Sequence, residues 1–392
     1  MMMLYSLFWI FLGIVVYTYL GYTLVLFLLA VLHRMFLKRP SGKEMNFEPA
    51  VTLFIPAYNE DEFIDRKMQN IRSLDYPPEK LNVIWITDGS TDASREYLAR
   101  YDGISVFHEA ERRGKIHAMN RGLLHTTTPY VIFTDANTMM NSQALRKMVL
   151  FFSDSRVGCV AGEKRISEAH LDKAVGAGEG LYWKYESLIK MLESETGSAV
   201  GAVGELFAIR RDLFEPVSED TLLDDFTISL QIACKGYLVK YAPEAWGVET
   251  ASISVNEEMK RKVRIATGGM QTLFRMTSLL NPFRHGLLSF KYISHKVLRW
   301  TLVPFCFPLV FILNASILFQ PGRPGFYLVF FMLQCIYYLL VIAGAVLHNV
   351  RLRLKTIFAP YYLLVMNYAV VVGIWHFITG KYSVNWQKAR RS

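Results

Sequence analysis

The sequence predicts an α/β domain with a mostly parallel sheet, flanked by apolar helices that cross a membrane. Between residues 50 and 280, short runs rich in β-branched residues alternate with segments of helical periodicity. Uncharged stretches of about 20 residues, the length that a spanning helix requires, precede and follow that region. The chain of 392 residues is 52% hydrophobic with a mean hydropathy of +0.22, which is too apolar for an ordinary soluble protein.

The N-terminal segment is predicted to be a retained transmembrane anchor over residues 1–37. Residues 4–32 carry no charge, and this run is too long for the core of a signal peptide. A linker over 38–49, which contains Pro40, Gly42 and Pro49, leads into the domain at 50–280. Strands are predicted at 51–56, 82–87, 104–107, 130–134, 157–161, 203–209 and 238–241, and helices near 61–74, 92–100, 115–125, 142–152, 180–194, 223–235 and 256–275.

The C-terminal part is predicted to return to the membrane. Apolar residues recur at helical spacing over 281–299, opposite basic residues, which is typical of an amphipathic helix lying at the membrane surface. The apolar positions are Leu287, Phe290, Ile293, Val297 and Trp300, and the polar positions are Arg284, Lys291, His295 and Arg299. Three uncharged segments follow within 300–380, at 300–319, 326–347 and 357–378, and a basic tail ends the chain at 381–392.

Flanking charges predict a multi-pass protein of the plasma (inner) membrane whose central domain is cytosolic. Basic residues follow the first anchor and separate the last two apolar segments, as the positive-inside rule requires. These residues are Arg34, Lys38, Arg39 and Lys43, and then Arg351, Arg353 and Lys355. Four full spans would put the basic tail outside, against the same rule. The segment 300–319, interrupted by Pro304 and Pro308, is therefore the candidate for an interfacial or re-entrant segment, and the number of spans stays open.

Charge and cysteine content exclude several other classes of protein. The net charge of +9 is explained by juxtamembrane lysine and arginine residues attracted to anionic lipid, and no nucleic-acid-binding motif is present. Four cysteines without paired spacing indicate a reducing compartment and no structural zinc site. The apolar C-terminal segments contain no Asp, Glu, Lys or Arg, which argues against a transporter.

Acidic residues follow three of the predicted strands. Glu60, Asp88 and Asp135 each come after an apolar run, and the pair Asp224 and Asp225 lies further along the chain. Ligands of open α/β sheets bind at the carboxyl ends of the strands, so these carboxylates predict a site for a metal and a nucleotide. The alternative interpretation is that Asp88 and Asp135 are N-caps of the helices that follow them.

The order of motifs then resembles that of a known family. PAYNE (56–60), TDGSTD (87–92), RRGK (112–115), TDAN (134–137) and LDD (223–225) precede a basic helix and membrane segments. This arrangement resembles the membrane-bound family 2 glycosyltransferases, which include cellulose, hyaluronan and poly-N-acetylglucosamine synthases. The resemblance implies a GT-A fold over 50–280 that binds a nucleotide-sugar donor, with a UDP-sugar as the expected donor, and passes the sugar to a saccharide or lipid-linked acceptor at the membrane.

The resemblance also implies where the donor and a metal bind. Three residues, Ala57, Tyr58 and Glu60, would border the nucleotide, and Asp88 would bind the uracil. Asp135 and Asn137 occupy the positions of the metal-binding carboxylate pair, for Mg²⁺ or Mn²⁺. The second position holds an amide instead of an acid, which predicts a lower affinity for the metal because Asn137 carries no charge.

Sugar transfer requires further residue types. Positive charge must stabilise the departing diphosphate, and Lys115 and Arg264 are the candidates. A carboxylate must take the proton of the attacking hydroxyl, and Asp225, beside Asp224, aligns with the base of the family. In-line attack from that side would invert the anomeric centre. The alternative is that both acids only begin a helix, where they favour its dipole. A region that borders the acceptor in the family contains Gly204 and Glu205 as weaker candidates.

One departure from the family affects the function. Processive members carry a Gln-x-x-Arg-Trp motif, and the aligned stretch here keeps Arg264 but has Ile265 in place of the indole, which puts long-chain synthesis in doubt. Two alternatives therefore stay open. One is a transferase that passes the sugar to a polyprenyl phosphate, and the other is a non-catalytic protein that binds a nucleotide sugar and serves as a scaffold for subunits of an export complex.

Overall fold

The structure of the chain is a computed structural model. It describes residues 2–36, 47–167, 174–249, 255–322, 324–347 and 355–383. Most of the predicted linker, residues 38–46, and most of the basic tail, residues 384–392, lie outside the described residues. The basic residues Arg351 and Arg353 between the last two apolar segments also lie outside them.

The strand and helix positions follow the sequence prediction closely. The strands are β1 (Val51–Ala57), β2 (Leu81–Asp88), β3 (Ile104–Glu109), β4 (Tyr130–Thr134), β5 (Met139–Met140), β6 (Val157–Ile166), β7 (Leu206–Arg210) and β8 (Leu238–Glu249). The helices of the central domain are α2 (Asp61–Arg72), α3 (Ser94–Leu98), α4 (Lys115–Leu123), α5 (Ala144–Val149), α6 (Ala174–Glu195), α7 (Asp224–Cys234) and α8 (Val255–Arg275). The short strand β5 was not predicted.

The strands form one mixed sheet in the order β3-β2-β1-β4-β7-β6-β8-β5. The first four strands in this order are parallel, and β6 is parallel to β8. β7 is antiparallel to both of its neighbours, and β5 is antiparallel to β8. The sheet is therefore mostly parallel, as predicted, with an antiparallel strand inserted in its middle.

Helices cover both faces of the sheet. On one face, α2 and α5 bury Ile64 and Met148 against the strand β1, and on the other α4 and α7 pack on Phe54 and its neighbours. The packing of α4 is close, because a Cβ atom added to Gly122 would lie 2.5 Å from the ring of Phe54. This two-sided burial explains why the parallel strands read as almost continuous apolar runs.

Apolar helices flank the domain at both ends of the described chain. Three helices of the described chain are long and apolar enough to cross a membrane. They are α1 (Met2–Phe36), which contains a π-helical turn at Tyr17–Gly21, α11 (Gly325–Leu347), and a stretch at Ala359–Thr379. A bent pair, α9 (Leu287–Thr301) and α10 (Val303–Leu318), meets at an angle of 59° and is either a broken span or a re-entrant segment. The break lies at Leu302, two residues before Pro304, in the segment for which the sequence leaves both possibilities open.

The last helix, α12 (Lys355–Thr379), packs directly on helix α8 of the central domain. A Cβ atom added to Gly373 of α12 would lie 2.5 Å from that of Ala266, and one added to Gly269 of α8 would lie 2.5 Å from the ring of Trp300 on α9. Buried Val263, Ala266, Met270 and Leu273 form the packing face of α8. The domain and the apolar helices are therefore in close contact.

The prediction for the helix over 281–299 was wrong in one respect. Its basic face is buried inside the protein instead of facing water, with Lys291, His295 and Arg299 at most 7% exposed. His295 lies 2.8 Å from Glu193 and 3.1 Å from Glu186, both on α6, and Arg299 also pairs with Glu186. These acidic partners lie about 100 residues earlier in the chain, so the local pattern of α9 could not reveal them.

Candidate active site

The acidic strand ends meet at one edge of the sheet. β2, β1 and β4 are adjacent and parallel, so Asp88 at the end of β2 and Asp135 immediately after β4 lie at the same edge. Neither residue is an N-cap, because the helices that follow them are capped by Ala93 and Gln143. The alternative interpretation of these two acids is therefore wrong.

A small, open pocket lies at this edge. It is lined by Pro56, Ala57, Tyr58, Asp88, Arg112, Gly114, Lys115 and Ala118. The guanidinium carbon of Arg112 lies 3.7 Å from the centre of the Tyr58 ring, so a cation–π contact forms part of the wall. Four residues that the sequence predicted to bind a donor, Ala57, Tyr58, Asp88 and Lys115, are thus brought together.

Asp88 holds the loop that begins α4. Its Oδ1 accepts a hydrogen bond of 3.2 Å from the backbone N–H of Arg113, and its Oδ2 accepts one of 2.7 Å from that of Gly114. Asp88 is only 4% exposed. These contacts fix the position of Lys115, the next residue. A contact between Asp88 and the uracil of a nucleotide stays a prediction.

Lys115 joins the acids of two separate segments. Its Nζ lies 3.0 Å from Oδ1 of Asp135 and 3.1 Å from Oδ2 of Asp224, and all three side chains are at most 15% exposed. Burial alone would lower the pKa of Lys115, but Asp135 and Asp224 hold it above its ordinary value. Lys115 therefore remains positively charged, and its ammonium links the pocket to the acidic pair.

Asp224 and Asp225 begin helix α7, whose N-cap is Leu223. Whereas Asp224 is paired with Lys115, Asp225 makes no ion pair within 4 Å among the residues that the structure describes. Burial, together with the negative charge of Asp224, raises the pKa of Asp225 to about 7. A carboxylate with such a pKa can accept a proton near neutral pH.

Gly204 leaves room beside Asp225. A Cβ atom added to Gly204 would lie 3.4 Å from Oδ2 of Asp225, so a side chain there would occupy the space in front of the carboxylate. The next residue, Glu205, pairs with Lys164 and lies 3.5 Å from Arg261. Both weaker candidates from the sequence therefore border the acidic pair.

Arg264 approaches the same acids without a direct contact. It forms no ion pair within 4 Å among the described residues, yet its charge interacts with those of Asp224, Asp225 and Asp135, while burial lowers its pKa. Its Nε atom is buried and has no hydrogen-bond partner among the described residues. A guanidinium held near three carboxylates in this way can bind an anionic ligand.

Asp135 and Asn137 offer oxygen atoms on one turn after β4. Only Oδ1 of Asp135 accepts a hydrogen bond, from Lys115, and the side chain of Asn137 makes none with the described residues. Within the described ranges, no group of three or more His, Cys, Asp and Glu side chains is arranged to hold a metal. One carboxylate and one amide suit Mg²⁺ or Mn²⁺ when phosphates of a ligand and water complete the coordination, so the residues fit a shared metal site.

Glu60, which was predicted to border the nucleotide, does not line the pocket. It is 3% exposed and acts as the N-cap of α2, and its backbone N–H donates to Ser94. This position supports the turn between β1 and α2, which carries Tyr58. A contact with a nucleotide stays a prediction.

Lys67 was missed by the sequence analysis. This fully buried residue of α2 donates from Nζ to Thr134 Oγ1 at 3.0 Å and to the backbone oxygens of Asp135 and Thr138 at 3.0 and 2.5 Å. It therefore holds both ends of the turn that carries Asp135 and Asn137. The available signal was its position on the apolar stripe of α2, three residues after Ile64, where a lysine must find buried acceptors.

Comparison with known proteins agrees with this fold. Residues 52–217 match the family model described as Glycosyl transferase family 2. The chain is 30% identical over 235 residues to the poly-beta-1,6-N-acetyl-D-glucosamine synthase of Staphylococcus aureus (strain COL), a match that covers 57% of this chain and 56% of that protein. It is 24% identical over 279 residues to the synthase of the same name from Staphylococcus epidermidis, covering 68% and 66%.

A solved structure is similar to this chain over the apolar helices as well as over the central domain. The mannosyltransferase of Pyrobaculum calidifontis, solved with GDP-Man and Mn²⁺, superposes with a TM-score of 0.69 at 22% identity, over 96% of this chain and 100% of that one. At this level of identity the superposition shows a shared fold.

Residues 52–217 therefore form a glycosyltransferase family 2 domain, and its sheet has a GT-A-like fold. The chain is homologous to the staphylococcal poly-β-1,6-N-acetyl-D-glucosamine synthases, and it spans somewhat more than half the length of the Staphylococcus aureus protein.

Proposed function

We propose that this protein is an inverting glycosyltransferase that transfers a sugar from a nucleotide sugar, a UDP-sugar in the first instance, to a saccharide or lipid-linked acceptor at a membrane. The observation that carries the proposal is the difference between two neighbouring acids. Asp224 is tied to Lys115, whereas Asp225 has no ion pair among the described residues and its pKa is raised to about 7. Asp225 is therefore the residue suited to accept a proton.

The reaction follows from these positions. The acceptor hydroxyl oxygen attacks the anomeric carbon of the donor, the bond between that carbon and the diphosphate breaks, and the nucleoside diphosphate leaves with the bonding electrons. Asp225 takes the hydroxyl proton. Attack on the side opposite the diphosphate inverts the anomeric centre, so an α-linked donor gives a β-linked product.

Lys115 and Arg264 provide positive charge for the leaving group. Both lie among the acids next to the pocket, and Lys115 lines the pocket itself. Asp135 and Asn137 would hold a divalent ion, and this ion supplies further positive charge to the diphosphate. The related mannosyltransferase was solved with Mn²⁺, which supports Mg²⁺ or Mn²⁺ as the ion here.

We further propose that the protein is a multi-pass protein of the inner membrane with its site on the cytosolic side. Support comes from the candidate spans of the described chain, from the basic residues beside them, and from the packing of α12 on α8 next to the site. Subunits of an export complex are expected partners in polysaccharide synthesis, and no role in nucleic-acid binding is proposed.

Product analysis with the full chain in lipid nanodiscs tests this proposal. The protein is incubated with radiolabelled UDP- and GDP-sugars, with Mg²⁺, Mn²⁺ or EDTA, and with native membrane extract as acceptor. Labelled product from one donor, lost in EDTA, is expected, and product NMR should show the inverted anomer. Label that is extracted only with polyprenyl phosphate would favour the lipid-phosphate alternative. Absence of product with every donor, together with retained nucleotide-sugar binding, would favour the scaffold alternative.

A further inference from the structure

A second group of side chains, outside the pocket, surrounds the indole of Trp183 on α6. The ammonium groups of Lys164, Lys190 and Lys262 lie 5.3, 5.8 and 5.6 Å from its ring centre. They come from β6, α6 and α8, so three elements converge on one half-buried aromatic ring. Tyr182 contacts the indole edge to face at a centroid distance of 5.6 Å. We call Trp183 and the three lysines the indole cluster.

The indole cluster lies next to the proposed base. Lys164 pairs with Glu205, which follows Gly204, and Gly204 borders the carboxylate of Asp225. The donor pocket reaches the acidic pair from another side, through Lys115. The indole cluster is therefore connected to Asp225 through Lys164, Glu205 and Gly204, none of which lines the donor pocket.

Lys190 differs from the other two lysines of the cluster. Lys164 pairs with Glu205 and Glu249, and Lys262 pairs with Glu258. Lys190 is only 6% exposed, and its ammonium makes no hydrogen bond and no ion pair within 4 Å among the residues that the structure describes. Because an ammonium loses much of its hydration on burial, it gains free energy from a ligand oxygen that accepts its protons.

We propose that Trp183 and Lys190 form an acceptor subsite that binds a pyranose ring of a saccharide. This inference rests on the proposed transferase function and identifies its acceptor. The apolar C–H face of a sugar packs on the indole, and the ammonium of Lys190 donates to a ring hydroxyl. An aromatic surface with a few well-placed polar groups is the usual composition of a small-molecule site.

The requirement for a base favours a saccharide over a bare lipid phosphate. The carboxylates of Glu205, Glu249 and Glu258 are each paired with a lysine, so their charge does not distinguish the two acceptors. A sugar hydroxyl requires a base, which Asp225 provides, whereas an ionised phosphate does not. The subsite thus selects the saccharide from the two acceptor classes that share this chemistry.

Equilibrium binding tests the subsite independently of catalysis. The full chain in nanodiscs is titrated with a β-1,6-linked N-acetylglucosamine pentasaccharide, followed by saturation-transfer-difference NMR, and donor binding is titrated separately. We expect Trp183→Leu to weaken pentasaccharide binding about tenfold, the size of one lost stacking contact, and to leave donor binding within about twofold. Trp183→Phe should recover part of the affinity, and Lys190→Met should weaken binding several-fold.

A matched control is Trp375→Leu, because Trp375 is 60% exposed on α12 and should not affect either ligand. Unchanged pentasaccharide affinity in Trp183→Leu would overturn the subsite. Equal loss of donor and pentasaccharide binding would also overturn it, since that pattern indicates a structural role. Efficient transfer to polyisoprenyl phosphate in nanodiscs without pentasaccharide binding would also overturn the subsite. Trp183-dependent binding without any sugar transfer would refute the proposed function and retain the subsite.

Discussion

The ammonium of Lys115 lies 3.0 Å from a carboxylate oxygen of Asp135, at the edge of the sheet where the central parallel strands end. This ion pair connects the loop after β3 with the turn after β4, two segments that are separate in sequence. Because Asp135 is engaged by a lysine and its neighbour Asn137 is uncharged, the turn carries less negative charge than a pair of free carboxylates would. A divalent ion should therefore bind there mainly together with a diphosphate.

Substitutions on this turn should change metal affinity in opposite directions. Asp135→Ala removes the charged ligand and should weaken Mn²⁺ binding in the presence of UDP at least about tenfold, whereas Asn137→Asp should strengthen it, because added ligand charge favours a hard cation. Mn²⁺ binding is measured by electron paramagnetic resonance. The control is Asp102→Asn, an exposed acid before β3. Equal Mn²⁺ affinity in the wild type and Asp135→Ala would remove Asp135 from the metal site.

Lys67 should support this turn from inside the protein. Lys67→Met keeps the length of the side chain but leaves the backbone oxygens of Asp135 and Thr138 without their buried donor. Each lost partner should lower the free energy of unfolding by about 1–3 kcal/mol, and Mn²⁺-dependent nucleotide binding should weaken.

Thermal unfolding and nucleotide titration in nanodiscs measure the two effects of Lys67→Met. Arg66→Met provides the matched control, because Arg66 is exposed on the same helix. Lys67→Gln retains two donors and should recover part of both losses. Wild-type nucleotide affinity in Lys67→Met would show that the turn does not depend on Lys67.

The rate of transfer should rise with pH through about 7. Asp225 accepts a proton only when it is ionised, and burial raises its pKa to about 7, so protonation inactivates the base below that value. Several charged or titratable groups interact electrostatically with Asp225, namely Asp224, Lys115, Glu205, Arg264 and Cys159. The measurement is kcat/KM from pH 5 to 9, with donor affinity titrated over the same range. A rate that stays constant between pH 6 and 8 would contradict this assignment.

Much of the central domain could be predicted because its signals are local. The apolar runs before Ala57, Asp88 and Asp135 are strands buried on both faces, and parallel neighbours bring their carboxyl ends together. The same reasoning located Asp224 and Asp225 at the start of a helix.

Features that depend on distant partners could not be predicted. In the sequence, the basic face of α9 has the pattern of a solvated face. In the structure, Glu186 and Glu193 of α6 pair with this face. The antiparallel direction of β7 and the two-residue strand β5 leave no periodic pattern in the sequence. Lys190 looks like an ordinary surface lysine of α6, yet it is buried beside Trp183.

The most direct test of the proposed mechanism separates donor binding from sugar transfer in Asp225→Asn. Asparagine keeps the size of the side chain but cannot take the proton of the acceptor, so the account predicts that kcat falls at least about a hundredfold while the affinity for the nucleotide-sugar donor stays within about twofold of the wild type. Asp212→Asn, an exposed acid outside the site, is the control and should keep wild-type activity. Wild-type turnover in Asp225→Asn would contradict the assignment of Asp225 as the base.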